Sequence, residues 1–501
     1  MAKQFLTNII GEDYRNWKKG ETVLITAGTG AGKTSFVKNK LNLFCCCRDE
    51  KILFLSNRTN LRKQTENDVE ALARINFNQI TIKNYQEVEA ICRTEKYDLS
   101  QYDVIVMDEA HYFFTDSAFN NKTDLFLREV IGDNNVIKVF MTATPIILKG
   151  YLKQHSVNID YLYELKTDYS YLDNVIAYNN KDSALSIINE IPQDEQIIYF
   201  GSVKRALEIS QTFGGAFICS QHNKDYYKKY VAGTENEEEL NRIITNQKFN
   251  NHILCTTIAL DNGVNISEES DVKHIIIEVS DVDTFVQCLG RRRIKTGDKI
   301  NLYFYDYSNK QEIAGYRTKL LKPLAEADFL IDKGELEYVK AYNKQHKTGI
   351  VDFVIGKDGY THAQLNECKY YKYIHDVAIY DAILDKNTLT NYKDIIGNIL
   401  NVNVISKEAD EIKSSTEIYL DTLVGKPLYK EEQKQLAEKL NIRRNGKLLK
   451  SISTLNSYFE EVGLNYLIKS ERKSYRDKDG KIKKQPTSWV VYSLNINVDE
   501  N

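Results

Sequence analysis

The sequence has few features of membrane-spanning, secreted or zinc-binding proteins. No run of about 18 apolar residues occurs, so we expect no membrane-spanning helix. The N-terminal stretch lacks an apolar core flanked by a cleavage site, which argues against secretion. Among the eight cysteines, no Cys-x-x-Cys pair is followed by a second pair, so we expect no zinc site. We expect a cytoplasmic protein whose adjacent Cys45, Cys46 and Cys47 are buried small hydrophobic residues in a reducing compartment.

A strong overall charge is also missing. The formal net charge of the 501 residues is −3, which points to no class of partner. The charge is uneven, however: residues 426–494 contain 16 Lys and Arg against 8 Asp and Glu. A basic end on an acidic body suggests nucleic-acid binding at that end, although a solvated face is the alternative. Hydrophobic residues make up 42% of the chain and charged residues 27%, as in globular proteins with an ample core.

Short apolar strands alternate with helical stretches through the first three-fifths of the chain. The first set of predicted strands comprises residues 22–27, 51–56, 80–82, 103–108 and 136–144. The second set comprises residues 196–201, 215–220, 252–257, 274–280 and 299–307. Near-continuous apolar strands between helices predict two tandem α/β domains, each with a parallel sheet covered on both faces. The stretch between them, ELKTDYSYLDNVIAYNN, is interpreted as a weakly structured linker.

The alternation of apolar strands and helices ends after Tyr307. Residues 309–345 have a helical pattern of mixed charge, and a hairpin is predicted around residues 357–359. More helix follows to about Val424. The last segment reads as helix, helix and then a basic β-hairpin, which is the layout of a winged helix. Its predicted wing, residues 469–485, contains 8 Lys and Arg against 3 Asp and Glu, with Tyr475 among them. Such a surface suits the nucleic-acid backbone, although a solvated hairpin is the alternative.

A glycine-rich loop lies between the first strand and a helix. A loop in this position points backbone N–H groups at a phosphate, and the helix dipole adds to the attraction. Gly30 and Gly32 would let the backbone curl closely, Lys33 would reach the β- and γ-phosphates, and the Thr34 hydroxyl would hold Mg²⁺. Ala27 stands where the phosphate-loop pattern has its first glycine, and a small residue suffices there. A chance glycine-rich turn is the alternative interpretation.

Two carboxylates follow another apolar strand, in the sequence DVIVMDEAH. Asp108 at the end of this strand could bind Mg²⁺, and Glu109 could polarise an attacking water. An acidic turn after a core strand is the alternative, but it does not explain why the pair follows a phosphate loop in sequence.

The motifs AGTGAGKT, DEAH and TAT, in this order, resemble the first half of a superfamily 2 helicase of the DEAD/DEAH-box type. The stretches IIYFGSVKRA, TTIALDNGVNI and QCLGRRRI resemble the fourth, fifth and sixth motifs of that family. The resemblance covers about residues 5–308, and within the family this stretch is similar to the bacterial or phage type of helicase. It implies two RecA-like domains, 1–165 and 166–308. These would be followed by a mostly helical region, 309–424, and a winged-helix-like basic domain, 425–501.

The resemblance also implies an ATP and Mg²⁺ site shared by the two RecA-like domains. The metal would be held by Thr34 and Asp108, with Lys33, Glu109, Gln287 and the arginine finger Arg291 as the other catalytic residues. His111, Thr142 and Thr144 would couple hydrolysis to motion between the domains. The nucleotide-binding positions implied are Ala27, Gly28, Thr29, Gly30, Ala31, Gly32, Lys33, Thr34, Ser35, Gly263 and Asn265.

The sequence departs from the family pattern at two places. The family has a second arginine three residues after the first, and here that position is Ile294, so Arg292 or Arg293 must take the role or the helix is shifted. The extra arginines could also contact phosphate or simply be solvated. No clear glutamine motif for adenine recognition precedes the phosphate loop. Tyr14 and Trp17 could stack on the base, and core packing is an equal alternative.

In this family a nucleic-acid strand lies across both domains and is held mainly by its phosphates. Small hydroxyl residues and loop amides suit such contact, which is blind to sequence, although capped turns and solvated lysines are equally good interpretations. The positions that match, together with the wing lysines, are Arg58, Tyr85, Gln86, Ser202, Lys204, Thr256, Thr257, Lys481, Lys483 and Lys484.

Together these features predict an ATP-dependent nucleic-acid helicase or translocase, with DNA favoured over RNA. A first alternative is the motor subunit of a defence or restriction system whose chemistry lies in a partner nuclease, since no nuclease constellation is evident. A second is a DNA-binding regulator that uses ATP as a switch without unwinding. A small-molecule kinase fits poorly, because the QCLGRRRI motif would have no role in it.

Overall fold

The computed structural model describes most of the chain, and the structural findings concern the residues it describes. These are 5–28, 30–56, 79–92, 96–180, 182–257, 265–342, 349–355, 359–385, 390–407, 415–440, 443–444, 447–448, 450–461, 464–472, 474–476, 482–484 and 486–494.

The first α/β lobe, lobe 1, is built on a six-stranded sheet. Its strands are β1 (Thr22–Ala27), β2 (Ile52–Ser56), β3 (Ile80–Asn84), β4 (Val104–Asp108), β5 (Ile137–Thr142) and β6 (Tyr161–Leu165). They lie in the order β3-β2-β4-β5-β1-β6, and every pair is parallel. Because the strands are parallel, the carboxyl ends of β1, β4 and β5 meet at one edge, where α/β sheets bind ligands.

Helices cover both faces of this sheet. They are α1 (Leu6–Ile10), α2 (Lys33–Phe36), α3 (Asn42–Cys46), α4 (Tyr85–Cys92), α5 (Tyr112–Thr115), α6 (Thr123–Gly132) and α7 (Ile146–Gln154). A π-helical turn, Val37–Leu41, joins α2 to α3. Alternate strand residues enter separate hydrophobic clusters: Leu24 and Phe140 belong to one, and Val23 and Ile25 to the other. This alternation explains why the strands are apolar throughout.

Lobe 2 is built on a second sheet. Its strands are β7 (Leu172–Tyr178), β8 (Gln196–Phe200), β9 (Ala216–Ile218), β10 (Ile253–Thr256), β11 (Val272–Ile277) and β12 (Ile300–Tyr305), with β15 (Ile405–Lys407) at one edge. The order is β15-β7-β12-β11-β8-β10-β9, and the pairs from β7 to β9 are parallel. The accompanying helices are α9 (Val203–Phe213), α10 (Lys224–Tyr230), α11 (Glu235–Asn246) and α12 (Val282–Leu289). The predicted pair of tandem parallel-sheet α/β domains is thereby confirmed.

The interpretation of the stretch ELKTDYSYLDNVIAYNN as a weakly structured linker is wrong in one respect. The stretch contributes part of the edge strand β6, which pairs with β1 in lobe 1, and all of β7, which pairs with β12 in lobe 2 and lies next to the short edge strand β15. Edge strands keep polar side chains facing water, and β6 carries an exposed Glu164 between the buried Tyr163 and the partly buried Leu165. Strand β7 contains the exposed Asp173 and Asn174. These strands therefore lack the continuous apolar pattern by which the central strands are recognised.

Helices and one hairpin follow the second sheet. The hairpin strands β13 (Val351–Ile355) and β14 (Thr361–Leu365) pair antiparallel around the predicted turn, most of which lies outside the described residues. The helices are α13 (Lys310–Lys333), α14 (Glu335–Tyr342), α15 (Glu367–Leu384) and α16 (Tyr392–Leu400). All of these elements belong to the same compact unit as the two lobes, comprising residues 1–179 and 193–406.

A second compact unit comprises residues 180–192 and 407–501. Its helices are α8 (Ser183–Glu190), α17 (Ser415–Leu423), α18 (Lys430–Leu440) and α19 (Ile452–Glu461). Its strands β16 (Pro427–Leu428), β19 (Tyr466–Glu471) and β22 (Ser488–Ser493) form an antiparallel sheet in the order β16-β22-β19. Two short ribbons pair β17 (Arg443–Arg444) with β18 (Lys447–Leu448), and β20 (Ser474–Arg476) with β21 (Ile482–Lys484).

The hydrophobic cluster of this second unit includes Leu420 of α17, which precedes the expected boundary at Val424. The winged-helix assignment and the four domain boundaries stay predictions. No helix in the described part of the chain is long and apolar enough to cross a membrane.

Candidate functional site

The phosphate-loop sequence lies where β1 gives way to α2. Gly30 and Gly32 have φ angles of +75° and +87°, which favour glycine over residues with a side chain. Gly28 is required for a different reason, because a Cβ atom there would lie 2.5 Å from the Thr167 hydroxyl oxygen. Thr29 lies outside the described residues. The loop therefore has the curled backbone that the sequence predicts.

Lys33 begins α2 and points back under the loop. Its ammonium donates to the Ala27 carbonyl at 3.0 Å and forms an ion pair with Oε1 of Glu109 at 3.4 Å. The residue is only 6% exposed, so its charge acts in an environment of low dielectric constant. Thr34 is half-buried, and Ser35 is exposed and accepts a hydrogen bond from the Asn39 amide at 3.1 Å.

The acidic pair lies at the end of the neighbouring strand β4. Asp108 is buried, and its Oδ1 accepts a hydrogen bond from the Glu109 backbone N–H at 3.1 Å. Glu109 has a φ of +53°, which a residue with a side chain rarely adopts outside functional sites. This backbone turns the Glu109 carboxylate towards Lys33, so the two predicted catalytic residues meet.

His111 connects this turn to strand β5. Its Nδ1 lies 3.3 Å from the Thr142 hydroxyl and 3.5 Å from Oε2 of Glu109. The Thr142 hydroxyl also accepts a hydrogen bond from the Thr144 backbone N–H at 3.1 Å. The three residues predicted to couple hydrolysis to motion are therefore joined in one hydrogen-bonded chain, while their coupling role stays a prediction.

Arg293 of lobe 2 is the arginine that lies next to the phosphate loop. A Cβ atom built on Gly30 would lie 3.8 Å from Nη1 of Arg293. Arg292, in contrast, is buried within lobe 2, where its Nη2 contacts Asp298 Oδ2 at 3.3 Å and donates to the Ser270 carbonyl at 3.3 Å. The guanidinium of Arg292 is therefore used inside its own lobe.

Arg291, the predicted finger, is 4% exposed. Its backbone N–H donates to the Cys288 carbonyl at 3.2 Å, and its carbonyl accepts from the Ile266 N–H at 2.9 Å. The sequence left open whether Arg292 or Arg293 takes the role of the family's second arginine, and Arg293 is the one of the two that lies beside the phosphate loop. The run of three arginines was the only signal that could have pointed to it.

Three buried polar atoms on separate motifs have no hydrogen-bond partner among the described residues. They are Oγ1 of Thr144, Oδ1 of Asn265 and Nε2 of Gln287. Buried polar atoms are normally satisfied, so such atoms at predicted nucleotide and coupling positions suit a polar ligand. Thr34 and Asp108 offer the hard oxygen donors that Mg²⁺ prefers. The residues present therefore fit ATP and Mg²⁺. Gly263 lies outside the described residues.

The predicted nucleic-acid positions fall into three groups. Gln86, Ser202 and Lys204 are exposed, and the Ser202 side chain also caps α9. Arg58 and Lys481 lie outside the described residues, as do the side chains of Lys483 and Lys484 on β21.

Three of the predicted contacts need correction, because their side chains are buried. Tyr85 is fully buried, stacks on Tyr112 and donates its hydroxyl to the Asp108 carbonyl at 2.9 Å. Thr256 is also fully buried and Thr257 nearly so. Tyr85 therefore supports the acidic turn rather than contacting a nucleic-acid strand, and the Thr256 side chain is part of the lobe 2 core.

Of the aromatic residues near the N-terminus, two are buried and one is exposed. Tyr14 and Trp17 both belong to a buried hydrophobic cluster, so they pack in the core. Phe5, which the sequence analysis did not single out, is 46% exposed, and its Cδ1 lies 3.7 Å from the position of a Cβ on Gly32.

The cysteines of the described chain form no disulfide, and Cys47 is exposed rather than buried as expected. No group of three or more His, Cys, Asp or Glu in the described residues could hold a metal ion.

Comparison with protein families adds one match. Residues 2–147 match the family described as "Type III restriction enzyme, res subunit". This stretch contains the phosphate loop, the DEAH sequence and the Thr142–Thr144 segment. Residues 2–147 therefore carry a superfamily 2 helicase-type domain, and the predicted resemblance to that superfamily is confirmed. No curated protein matches the sequence.

Among solved structures, yeast (S. cerevisiae) Dbp5 bound to RNA and ADP BeF3 is similar, with 13% identity and a TM-score of 0.42. The match covers 60% of this chain and 83% of Dbp5. A hypothetical ATP-dependent RNA helicase from Sulfolobus tokodaii is similar with 16% identity and a TM-score of 0.27, covering 61% and 92% of the two chains. Such values are too low to support an inference about substrate.

Proposed function

We propose that this chain is an ATP-dependent nucleic-acid helicase or translocase that binds ATP and Mg²⁺ between its two lobes. The observation that carries the proposal is the position of Arg293 of lobe 2 beside Gly30 of lobe 1. A triphosphate bound on the loop would contact both lobes, so its cleavage would change the contacts between them. Movement of two lobes along a strand requires such a change.

The chemistry follows from the side chains of lobe 1. Lys33 would release Glu109 and bind the γ-phosphate, because the phosphate carries more negative charge than the Glu109 carboxylate. Glu109 would then be available to orient the attacking water from its turn after β4. Mg²⁺, held by Thr34 and Asp108, would neutralise charge on the phosphate oxygens.

Lobe 2 would supply the arginine finger. Arg293 has the planar fork that holds phosphate oxygens bidentately and never loses its charge at neutral pH. Arg291 stays the candidate given by the sequence, and Gln287 and Asn265 would complete the site. The exposed ring of Phe5 beside the loop would provide a face for the adenine base.

The strand would cross both lobes at exposed positions such as Gln86, Ser202 and Lys204. DNA is favoured over RNA, because the element order of the second compact unit suits a winged helix. Strand β16 lies between α17 and α18, helix α19 follows, and the paired strands β19 and β22 come after the three helices. Basic residues predominate in the sequence of the wing. Such a module would bind the backbone of duplex DNA near a fork.

A motor subunit of a restriction or defence system is the second candidate function. The family match to a restriction-enzyme subunit favours it. In that case a partner would supply the nuclease, and it should co-purify with the chain expressed in its natural host.

ATP turnover measured with single-stranded DNA, duplex DNA and RNA side by side tests the proposal. We expect stimulation by at least one of them, strongest with DNA, and ATP-dependent separation of a forked duplex. Lys33→Ala is the matched negative control. ATP turnover that no nucleic acid changes would contradict a translocase, and turnover without strand separation would favour the restriction-type motor or the ATP switch.

A further inference from the structure

Helix α15 contacts both lobes along its length. It has 18 residues and is therefore about 27 Å long at a rise of ~1.5 Å per residue. Its first turn lies against lobe 1, and the next turn lies against the N-terminus of α12 in lobe 2. Since α12 carries Gln287 and leads directly into Arg291 and Arg293, α15 touches the element that presents these side chains.

The lobe 1 end of α15 is anchored by apolar and polar contacts. Cys368 is fully buried within a hydrophobic cluster of lobe 1, and Tyr371 packs against the same cluster. Glu367 accepts a hydrogen bond from the Tyr151 hydroxyl at 3.1 Å. The Lys369 ammonium lies 3.4 Å from the Ala118 carbonyl. These contacts fix the first turn of α15 to lobe 1.

The lobe 2 contact is an ion pair between Lys372 and Asp281. Asp281 is the N-cap of α12: its Oδ1 accepts a hydrogen bond from the Thr284 backbone N–H at 2.8 Å. Its other oxygen, Oδ2, meets the Lys372 ammonium. One carboxylate therefore caps the helix and ties it to α15 at the same time.

The surroundings of this ion pair are buried and acidic. Asp376, one turn along α15, also contacts the Lys372 ammonium, at 2.5 Å, and Asp283 lies nearby on α12. Burial raises the pKa of Asp283 and of Asp376 to about 7. Although burial opposes it, the Lys372 ammonium holds the pKa of Asp281 below its ordinary value. A buried ion pair contributes more to a unique arrangement than to net stability, and removing one partner leaves an uncompensated charge.

We propose that Lys372 is a positioning residue that pins the N-terminus of α12 to lobe 1 through Asp281. It would thereby hold Gln287 and Arg293 opposite the phosphate loop. This rests on the proposed function, since it concerns the same nucleotide site. Lys372 does not touch the nucleotide; it acts through α12. Displacement of a catalytic group by about 1 Å can lower a rate by ~10²-fold.

Two variants separate the tether from the cap. Lys372→Met removes the ammonium but keeps a flexible apolar chain of similar length. Asp281→Asn keeps a residue that can cap α12 and removes only the charge that binds Lys372. We expect each to lower the nucleic-acid-stimulated kcat by about ten- to hundredfold while the KM for ATP changes less than about threefold. Lys372→Arg should retain most of the rate. Lys340→Met, an exposed lysine of α14, is the matched control.

The double variant Lys372→Met/Asp281→Asn completes a mutant cycle and carries one buried charge fewer than Lys372→Met alone. If the two residues act through each other, the double variant should be no slower than the slower single variant. Where Lys372→Met alone fails to fold, Asp281→Asn and the double variant still test the inference. Additive reductions of kcat in the cycle would overturn it.

Hydrogen exchange of the full chain supplies a readout that does not depend on turnover. We expect amides of α12 to exchange at least about tenfold faster in Lys372→Met, with the strands β4 and β8 unchanged. Wild-type exchange at α12 together with a wild-type kcat would overturn the inference and leave the proposed function intact. Faster exchange at α12 in a protein without any ATP turnover would support the tether and contradict the proposed function.

Discussion

The Lys33 ammonium lies 3.4 Å from Oε1 of Glu109, so the cation of the phosphate loop and the carboxylate of the acidic turn form an ion pair. Lys33 also donates to the Ala27 carbonyl at 3.0 Å. In the function we propose, a nucleotide would displace this buried ion pair when Lys33 binds its γ-phosphate, and the same step would free Glu109 for catalysis.

Glu109→Gln should bind ATP and hydrolyse it slowly. The amide keeps the volume of the side chain but cannot draw a proton from water, so we expect turnover to fall by about 10²-fold or more. Binding should persist, because Lys33 no longer has a competing anion. Measurement of the Kd for ATP beside single-turnover hydrolysis checks this. Turnover close to wild type would contradict the assignment of Glu109, and Lys33→Ala, which should abolish both binding and turnover, is the comparison.

His111→Ala should separate hydrolysis from strand movement. The His111 imidazole lies 3.3 Å from the Thr142 hydroxyl and so connects the acidic turn to β5. A change in the charge of the nucleotide would alter this contact. We expect ATP turnover to stay within severalfold of wild type while unwinding falls by up to ~30-fold, the range of typical coupling energies. Thr142→Val should behave in the same way. Equal reductions of hydrolysis and unwinding in both variants would place His111 in the chemistry itself.

Glu89, a buried residue in lobe 1, should titrate close to neutral pH in the folded protein. Burial raises the pKa of Glu89 to about 7, and its Oε2 accepts hydrogen bonds from the Tyr112 hydroxyl and the Asn120 amide. The folded protein therefore binds a proton at Glu89 that the unfolded chain releases near pH 4.5. This contribution to the free energy of unfolding is fully present below about pH 4.5 and is lost as the pH rises through about 7.

Glu89→Gln removes that titration. We expect the variant to gain ~1–3 kcal/mol relative to wild type between pH 5 and pH 8, measured by urea unfolding at each pH. Buried carboxyls that do not interact with Glu89, such as Asp306 of lobe 2, contribute equally to both proteins and cancel in the difference. A constant difference across this range would mean that Glu89 is ionised in the folded protein.

The central strands and the motif order could be predicted from the sequence, because buried parallel strands are apolar throughout and glycines mark the phosphate loop. Strands β6 and β7 could not, since the edge strand β6 carries an exposed Glu164 and β7 contains the exposed Asp173 and Asn174. Tyr85 and Thr256 were assigned by motif position alone, and position in a motif does not reveal which way a side chain points. The ion pair of Lys372 with Asp281 joins residues far apart in sequence, and no local pattern marks it.

Replacement of the wing lysines Lys481, Lys483 and Lys484 by Glu should weaken DNA binding and reduce its salt dependence. For each phosphate that the wing no longer neutralises, the plot of log affinity against log salt should flatten by about 0.7 on single strands and 0.9 on duplex. The control variant reverses three exposed lysines of α13 and α14, Lys322, Lys333 and Lys340, with the same change in net charge. Fork binding across a salt series checks this. An unchanged slope in the wing variant would make a protein partner the better candidate for this surface.

The most direct test of the shared nucleotide site is the kcat of Arg293→Ala at saturating ATP and nucleic acid, beside Arg291→Ala and Arg293→Lys. An arginine finger contributes about 10³-fold or more to kcat, so Arg293→Ala should lower kcat by at least that factor. Arg293→Lys should recover only part of it, because lysine lacks the planar fork. Arg291→Ala should lower kcat less than Arg293→Ala. A kcat for Arg293→Ala within about threefold of wild type would contradict a site completed by Arg293 of lobe 2.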